Sequence, residues 1–437
     1  MTLPVLRDYQ ARAIERARAA FRDGHRSVLL VSPTGSGKTV IGAEVARLHH
    51  GQKGQVVWLA HRIELVKQAI EKLWRAGVTE LGCIAAEGGF NQTAPVVVCS
   101  IQTLLARPGL RPQASLLMPD EAHHYLSHEW HRLMQHYQGS RVLGLTATPQ
   151  RPDGTALGGM FDALIEVATI AELVAAGHLV PIEVIAPARR LDGTQTVDPV
   201  EALGRHAHGR KAVVFAASVP HGRALAARLG AVAGYVDGKT PGPERAAILH
   251  AFEAGRLQVL VNVQVLTEGW DCPSVEVCVL SSGCSSPAAY LQRIGRVRRP
   301  APGKVSSLLI DCRGVVHQHG MPDDARVYSL HGRPIAVDKL LPALRQCHAC
   351  GAVFRMRPSC ERCGYLFPPP ELPQVSRAAM RRVDSVTPES TKRAFFRSQL
   401  QQAAATGKAP GWAMHRFRWR FGHWAPAAWL TEERIGS

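Results

Sequence analysis

A glycine-rich turn between a short apolar run and a helical pattern constrains the fold of this chain more than any other feature. The run Ser27–Val31 leads into the turn, and residues 40–48 after it show the spacing of a helix. The turn reads Ser32-Pro33-Thr34-Gly35-Ser36-Gly37-Lys38-Thr39. Strand, tight turn and helix in this order make a phosphate-binding loop, because the turn and the helix N-terminus present backbone N–H groups to an anion. We therefore expect a nucleotide-binding α/β domain.

The chemistry of this loop predicts ATP and Mg²⁺ as cofactors. The Lys38 ammonium would reach the β and γ phosphates, and the Thr39 hydroxyl would bind the metal ion. The predicted nucleotide contacts within the loop are Thr34, Gly35, Ser36, Gly37, Lys38 and Thr39. The strict pattern begins with glycine where this chain has Ser32, so the prediction depends on the dense part of the loop.

An acidic pair follows another apolar run, Leu116–Met118, about 80 residues after the loop. Asp120 would hold Mg²⁺ at the carboxyl end of a strand, and Glu121 would orient the attacking water. Alone, such a pair is better explained as a solvated turn, and the loop at Lys38 favours the catalytic interpretation. Pro119 removes a ladder N–H, so the strand should end or kink there.

Short apolar runs alternate with helical patterns through the first 310 residues, which predicts parallel sheets covered by helices. The expected strands are Ser27–Val31, Gln55–Ala60, Ala94–Cys99 and Arg141–Leu145, then Lys211–Phe215, Leu257–Val261, Val275–Leu280 and Ser306–Ile310. The fold class is α/β. We expect a first domain over residues 1–180, a second over 181–335, a cysteine module over 340–370 and a basic aromatic tail over 371–437.

Six further segments carry a resemblance to a known family. They are Leu6-Arg7-Asp8-Tyr9-Gln10, Ala60-His61-Arg62 with Leu65 and Gln68, Ser100–Leu104, Leu145–Pro149, Leu266–Asp271 and Gln292–Arg299. With the loop and the Asp-Glu-Ala-His run at residues 120–123, the chain resembles a superfamily 2 helicase of the DEAD/DEAH-box type, similar to type III restriction and phage helicases. The resemblance implies two tandem RecA-like domains with ATP bound between them.

The resemblance also implies roles for individual residues. Gln10 would recognise adenine, the segments after the second and third strands would contact the nucleic-acid backbone, and Leu145–Pro149 would link hydrolysis to strand handling. Gly269 and Asp271 would lie at the nucleotide, and Gln292 near the γ-phosphate. Arg296 and Arg299 would be arginine fingers, completing the catalytic set of Lys38, Asp120, Glu121, Gln292, Arg296 and Arg299.

Arginine suits this task on physical grounds. A planar cation from a second domain can stabilise the charge that phosphoryl transfer spreads over oxygen atoms only when the domains close. A solvated basic face is the alternative explanation for the same cluster.

Cys347, Cys350, Cys360 and Cys363 form two CxxC knuckles. Four thiolates at this spacing can close a tetrahedron around Zn²⁺, and the glycine after each knuckle eases the turn. A complete ligand set predicts a structural zinc ribbon, with a redox pair or two disulfides as the competing account. The arginines around the knuckles, at positions 345, 355, 357 and 362, would either contact phosphates or be solvated.

Residues 411–424 of the tail interleave aromatic rings with arginines. Bases would stack on the rings while arginines neutralise phosphates, which favours single-strand binding. The alternative is an amphipathic element that packs its rings on the ribbon or the motor. The formal net charge of +17 favours a polyanionic partner, although a basic composition also serves solubility.

These features predict an ATP-dependent helicase or translocase, with DNA favoured over RNA by the resemblance and with no membrane partner. A protein partner in replication, recombination or restriction is left unspecified. The chain shows neither a signal peptide nor a bilayer-spanning run, so we expect a cytoplasmic protein. Two alternatives stay open: a duplex translocase or branch-migration remodeller that does not separate strands, and a nucleic-acid-binding module with a weak or decayed ATPase.

Overall fold

The structure is a computed structural model that forms two compact units, residues 1–368 and 369–437, which we describe separately. It describes residues 5–50, 54–86, 88–125, 127–149, 157–188, 191, 196–266, 269–331, 336–337, 344–367, 389–421, 424–426 and 428–430. Parts of the predicted motifs lie outside the described residues, namely Thr267, Glu268, Pro368–Pro370, Gly422 and His423. Within the described residues, no helix is long and apolar enough to cross a membrane.

The first sheet has eight strands in the order β4-β3-β5-β2-β6-β7-β1-β8. Their bounds are β1 Ser27–Val31, β2 Val56–Ala60, β3 Leu81–Ala85, β4 Gly88–Phe90, β5 Val96–Ser100, β6 Leu116–Pro119, β7 Arg141–Thr146 and β8 Ala163–Glu166. All recorded pairings are parallel except that of β3 with β4. Strands β2 and β6 are buried at every residue because helices cover both faces of the sheet, which is why such strands read as continuous apolar runs.

The second sheet has six parallel strands in the order β11-β12-β10-β13-β14-β9. Their bounds are β9 Ile182–Ile185, β10 Ala212–Phe215, β11 Ala233–Val236, β12 Val259–Asn262, β13 Val277–Leu280 and β14 Ser307–Asp311. Two small antiparallel pairs follow, β15 Arg326–Val327 with β16 Ala336–Val337 and β17 Leu344–Gln346 with β18 Val353–Arg355. The predicted α/β class with two parallel sheets is confirmed.

Thirteen α-helices are found among the described residues. They are α1 Asp8–Arg22, α2 Lys38–His50, α3 Ile63–Arg75, α4 Ile101–Ala106, α5 Ser127–Met134, α6 Ile170–Ala175, α7 Pro199–His206, α8 Val219–Leu229, α9 Gly242–Glu253, α10 Pro287–Gly295, α11 Val316–His319, α12 Glu389–Ala405 and α13 Gly411–Phe421. In the first unit they flank the two sheets, whereas α12 and α13 form the C-terminal unit.

The sheet topology brings the sequence motifs of the first domain to one edge. The phosphate loop follows β1, the acidic pair follows β6 and the segment after Thr146 follows β7, and these strands are neighbours in the sheet. Parallel strands place their carboxyl ends at the same edge, which is where open α/β sheets bind ligands. Strand β6 ends at Pro119 as expected, and the Asp120 N–H then donates to the Leu59 carbonyl at 2.9 Å.

Candidate active site

The phosphate loop is shaped by two glycines with left-handed backbones. Gly35 has φ +89° and Gly37 has φ +86°, values that side-chain-bearing residues rarely adopt. A Cβ on Gly37 would lie 2.7 Å from Gln10 Nε2, so the absence of a side chain also permits the approach of α1. The loop therefore requires glycine at this position for its conformation, and a side chain there would also displace the Gln10 amide.

Helix α1 braces the loop from one side. The Ser36 carbonyl accepts hydrogen bonds from the Tyr9 hydroxyl at 2.5 Å and from Gln10 Nε2 at 3.2 Å. Gln10 Oε1 in turn accepts from the Arg7 N–H at 3.0 Å. A cleft of about 420 Å³ beside α1 is lined by Tyr9 and His178. Both ends of the Gln10 amide are bonded within the protein, and its contact with adenine stays a prediction.

Ser32 replaces the expected glycine without disturbing the loop. Its side chain is fully buried, and its Oγ lies 2.6 Å from Ser36 Oγ, which donates to the Pro33 carbonyl. The extra hydroxyl thus joins the start of the loop to its centre. This contact gives a physical reason why the departure from the strict pattern is tolerated.

The acidic pair lies against the loop lysine. Lys38 Nζ is 3.4 Å from Glu121 Oε1, and the two side chains are only 9% and 12% exposed. Asp120 is 4% exposed, and its Oδ1 accepts from the Glu121 N–H at 2.9 Å. Glu121 has φ +47°, a left-handed conformation that costs a non-glycine residue roughly 1–2 kcal/mol and that occurs at functional sites.

Tyr125 supports this segment from beneath. Its hydroxyl donates to the carbonyls of Leu59 and Asp120, at 2.9 and 3.1 Å. Burial, with smaller contributions from the Asp120 and Glu121 carboxylates, raises the pKa of Tyr125 well above its usual value. The side chain therefore stays a neutral donor that fixes the backbone of the acidic pair.

A chain of hydrogen bonds joins the second domain to the end of β7. Gln292 Nε2 lies 3.0 Å from His123 Nε2, so the imidazole accepts there and carries its proton on Nδ1. His123 Nδ1 is 2.9 Å from Thr146 Oγ1, which donates to the Thr148 carbonyl at 2.7 Å. The chain links three of the motifs named from the sequence. All four side chains are buried.

Helix α10 of the second domain packs directly on the phosphate loop. A Cβ on Gly295 would lie 2.4 Å from the Thr34 Cβ, and the Arg299 Cγ lies 3.2 Å from the site of a Cβ on Gly35. Thr34, Gly295 and Arg298 line a remaining cavity of only about 20 Å³. The two domains are therefore in close contact at the loop, as a shared site requires.

The two predicted arginine fingers lie at this contact, and their guanidinium groups bind acceptors of their own domain. Arg296 Nη1 donates to the Trp270 carbonyl at 2.7 Å and is 6% exposed. Arg299 Nη1 is 2.5 Å from Asp271 Oδ1 and 3.3 Å from the same carbonyl. Asp271 thus holds an arginine, and a role for it or for Gly269 at the nucleotide stays a prediction.

Two further contacts cross the domain boundary away from the loop. Gln68 Nε2 donates to the Gly269 carbonyl, and Arg245 Nη1 is 3.6 Å from Glu64 Oε1. A cleft of about 540 Å³ opens beside them, lined by Arg62, Lys239 and Arg245 among others. The resemblance predicts nucleic-acid contacts for the segment containing Gln68, and here that side chain joins the two domains instead.

The residues present suit a nucleotide with its metal ion. The loop offers backbone N–H groups at the start of α2, a buried ammonium at Lys38 and a hydroxyl at Thr39. Asp120 offers the hard oxygen ligand that Mg²⁺ prefers, at the same sheet edge. The donor set therefore fits ATP with Mg²⁺.

Comparisons with known proteins agree with this geometry. Residues 3–151 match the family described as "Type III restriction enzyme, res subunit", and residues 196–301 match "Helicase conserved C-terminal domain". The chain belongs to the superfamily 2 helicases. The predicted family and the predicted enzyme class, an ATP-hydrolysing helicase, are confirmed.

Individual relatives extend the comparison. A "51.5 kDa protein" of a Lactococcus phage (isolate 7-9) is 29% identical over 368 residues, which cover 78% of each chain. The "Putative DNA 3'-5' helicase Rad25" of Halobacterium salinarum is 31% identical over 329 residues, or 68% of this chain and 52% of the relative. A fragment of a putative HsdR subunit of a type I restriction enzyme from Vibrio vulnificus shares the fold, with a TM-score of 0.58 at 20% identity over 76% of this chain and 67% of that one.

The four cysteines of the knuckles come together in the helicase structure. Their Sγ atoms all lie within 4.8 Å of one another, with Cys347 to Cys363 at 3.6 Å and Cys350 to Cys360 at 3.7 Å. A tetrahedral site with Zn–S bonds of about 2.3 Å has S–S edges of about 3.8 Å, so the cluster fits Zn²⁺. Gly351 and Gly364 both have φ +74°, as the turn after each knuckle requires.

The cysteine module is docked on the edge strand of the second sheet. Ala352 forms an antiparallel bridge with Ile185 of β9, and Val353 is buried in the core of the second domain. Arg362 Nε is 3.1 Å from Glu183 Oε2, and Arg355 Nε is 3.1 Å from Asp324 Oδ1. Contact of the module's arginines with phosphates stays a prediction. These two arginines serve as attachments between the module and the domain.

Sequence reasoning missed the contacts that join separate motifs. The pairs Gln292–His123, Gln68–Gly269 and Arg245–Glu64 connect residues that lie far apart along the chain. A signal existed for Gly295, because a glycine interrupts the helical run at Gln292–Arg299, and glycine within a helix usually marks a close approach. The other partners depend on the domain arrangement, and the single sequence contains no local pattern for them.

We expect the substitution Gly295→Ala to uncouple the two domains without weakening either fold. Alanine favours the helix by roughly 1 kcal/mol, but its methyl group collides with Thr34 and must move α10 away from the loop. A displacement on the order of 1 Å at such a site lowers turnover roughly 10- to 100-fold, measurable as the ATPase kcat. Gly242→Ala, at a helical glycine of the same domain with nothing within 4 Å, is the matched control. Equal ATPase rates for the two variants would show that the close contact is unimportant.

Removal of zinc should loosen the edge of the second domain. Cys363→Ser, or treatment with a chelator, should abolish one equivalent of bound zinc and lower the Tm by about 5 °C, because the module packs into the domain core. Metal analysis and thermal unfolding measure the two effects. Cys83→Ala, outside the cluster, should retain the zinc. A chain that never contains zinc when purified from zinc-supplemented cells contradicts the assignment.

Proposed function

We propose that this helicase is a DNA motor in which ATP hydrolysis between the two domains drives movement along a strand. The observation that carries the proposal is the close packing of α10 against the phosphate loop at Gly295 and Thr34. This contact brings the second domain to the predicted reaction centre. A domain that touches the loop through a glycine can open and close with the nucleotide cycle, and hydrolysis is then tied to motion.

Each loop residue has a defined task in this proposal. ATP with Mg²⁺ supplies the phosphoryl group and the electrophilic assistance for its transfer. Lys38 binds the β and γ phosphates, Thr39 and Asp120 hold the metal ion, and the loop N–H groups orient the phosphate chain. In the structure Lys38 pairs with Glu121. If the Lys38 ammonium moved from Glu121 to a phosphate, the Glu121 carboxylate would be available to orient the attacking water and accept a proton from it.

The second domain completes the site. Arg296 and Arg299 would exchange the Trp270 carbonyl and Asp271 for the negatively charged phosphate oxygens, and charge-assisted bonds of this kind are stronger than a bond to a neutral carbonyl. Gln292 would sense the same event through His123 and Thr146. The reaction would thereby reach the segment after β7, which the resemblance connects with strand handling.

DNA as the substrate is supported by charge and by the relatives. The halobacterial relative is named a DNA helicase, and the shared fold includes restriction-enzyme motors. The cleft that contains Arg62, Lys239 and Arg245 presents cations near the boundary of the two domains, where a strand could be gripped from both sides. Zn²⁺ would serve as a structural ion in the cysteine module, since no ligand position stays open.

A duplex translocase that does not separate strands is the second candidate. Two comparisons favour a duplex translocase. Residues 3–151 match a restriction-enzyme family, and the fold is shared with a fragment of a restriction-enzyme HsdR subunit. A fork-unwinding assay run beside a triplex-displacement assay distinguishes the two functions. Displacement without unwinding would establish the second candidate.

Replacement of the loop lysine tests the reaction centre. Lys38→Ala should lower DNA-stimulated ATPase turnover at least about 100-fold, because it removes the buried cation that faces the phosphates. Lys72→Ala, in the last turn of α3, is the control and should keep the wild-type rate. Phosphate release measured over single-stranded, duplex and branched DNA and RNA gives both the rate and the preferred partner. Full turnover by Lys38→Ala would refute the site, and a wild-type ATPase that no nucleic acid stimulates would refute the motor.

A further inference from the structure

The C-terminal unit has a core of its own made from aromatic rings. Phe396 of α12 and Phe417 of α13 are fully buried and meet edge to face, with ring centroids 5.8 Å apart. Trp429 is 5% exposed and packs edge to face on Phe417 at 5.9 Å. Ala413 belongs to the same buried cluster, and Ala403 of α12 is also buried. These rings stabilise the helix pair, and so they are not available to stack on bases.

The same unit concentrates positive charge. Residues 389–421 contain seven Lys and Arg side chains against one carboxylate, Glu389, which leaves a net charge of +6. That is about a third of the net charge of the whole chain on 33 residues. The cations are Lys392, Arg393, Arg397, Lys408, Arg416, Arg418 and Arg420. Because the core takes up the apolar side of both helices, these cations lie on the outside.

Aromatic rings hold several of these cations in place. Lys408 Nζ is 4.5 Å and Arg416 Cζ 5.5 Å from the centroid of Trp412. Arg420 Cζ lies 4.6 Å from the Phe395 ring, and Arg418 Cζ 4.6 Å from the Trp424 ring. A cation–π contact orders a side chain without neutralising its charge, in contrast to an ion pair. Among the described residues, Lys408, Arg418 and Arg420 contact rings and form no ion pair with a carboxylate.

The spacing of the ordered cations suits a repeating anion. Arg416 and Arg420 are one helical turn apart on α13, and Trp412, whose ring contacts Arg416, is one turn before them. At this spacing of i, i+4 and i+8 the three side chains form one row, with neighbours about 6 Å apart. Ordering before binding lowers the side-chain entropy that is lost when a phosphate is bound. A row of ordered arginines on an exposed helix face can therefore bind successive phosphates of a nucleic acid.

We propose that the pair of α12 and α13 is a second nucleic-acid-binding unit, which grips the phosphate backbone without stacking on bases and without reading sequence. The proposal rests on nucleic acid being the partner of the motor, and it concerns how the full chain holds that partner. An anionic membrane is the less favoured partner, since the buried cluster takes up Phe396, Ala413 and Phe417, the apolar side of α12 and α13 among the described residues.

The test compares charge removal with charge retention in the full-length protein. The double substitution Arg416→Gln with Arg420→Gln should weaken binding of a labelled 30-base DNA roughly tenfold near physiological salt, measured by fluorescence anisotropy without nucleotide. The slope of log K against log salt should fall by about 1 to 2, the number of phosphate contacts removed. Arg416→Lys with Arg420→Lys keeps the charge and should stay within about twofold of wild type. Losses should be similar on single-stranded and duplex DNA.

Two outcomes would overturn the proposal. One is an unchanged affinity and salt slope in the glutamine variant, and the other is an equal loss in the lysine variant, which would assign the arginines to packing. Lys408 lies outside both helices, so Lys408→Gln provides an independent test if the double variant unfolds. We expect a smaller loss of DNA affinity from this substitution. Tighter binding to phosphatidylserine vesicles than to DNA would also contradict it. The kcat at saturating DNA should not change in any of these variants, so a failure here leaves the motor proposal intact.

Discussion

The packing of α10 against the phosphate loop is the contact on which the rest of the site depends. Gly295 lies where any side chain would collide with Thr34, and the loop itself can pass underneath only because Gly35 and Gly37 adopt left-handed conformations. The helix that makes this contact continues directly into the segment of Arg296 and Arg299. The distance between two backbones therefore sets the position of the charges, and a single methyl group is a large change on that scale.

The hydrogen bonds behind this contact give it a second function. His123 can join Gln292 to Thr146 only when one ring nitrogen accepts and the other donates, so the neutral imidazole has a fixed orientation. Glu121 Oε2 lies 3.6 Å from His123 Nδ1, and the other carboxylate oxygen of Glu121 faces Lys38. The carboxylate expected to orient water is thus positioned by groups that respond to both domains. Opening of the domains would remove Gln292 from this arrangement.

Local sequence pattern predicted the parts of the fold that are local in origin. The eight expected strands all exist with ends shifted by at most two residues, because each is a buried apolar run between turns. In the two large sheets, strands β3, β4, β8, β9 and β11 were not predicted, since they are short, and Gly88–Phe90 is exposed and has no apolar run to detect. The same limit applies to the site. The loop and the acidic pair lie within short segments, whereas the partners of Gln292 and of Arg245 depend on how two domains meet.

The arginines of this chain show why composition alone could not assign their functions. Arg296 and Arg299 bind acceptors within the motor, and Arg355 and Arg362 are attached to carboxylates that anchor the cysteine module. Arg299, Arg355 and Arg362 are paired with carboxylates, and Arg296 donates to a backbone carbonyl. The C-terminal helices use rings instead, which order a cation while its charge stays effective toward solvent. A net charge of +17 therefore divides into charges that hold the protein together and charges presented to a partner, and the side-chain partner of each arginine decides which it is.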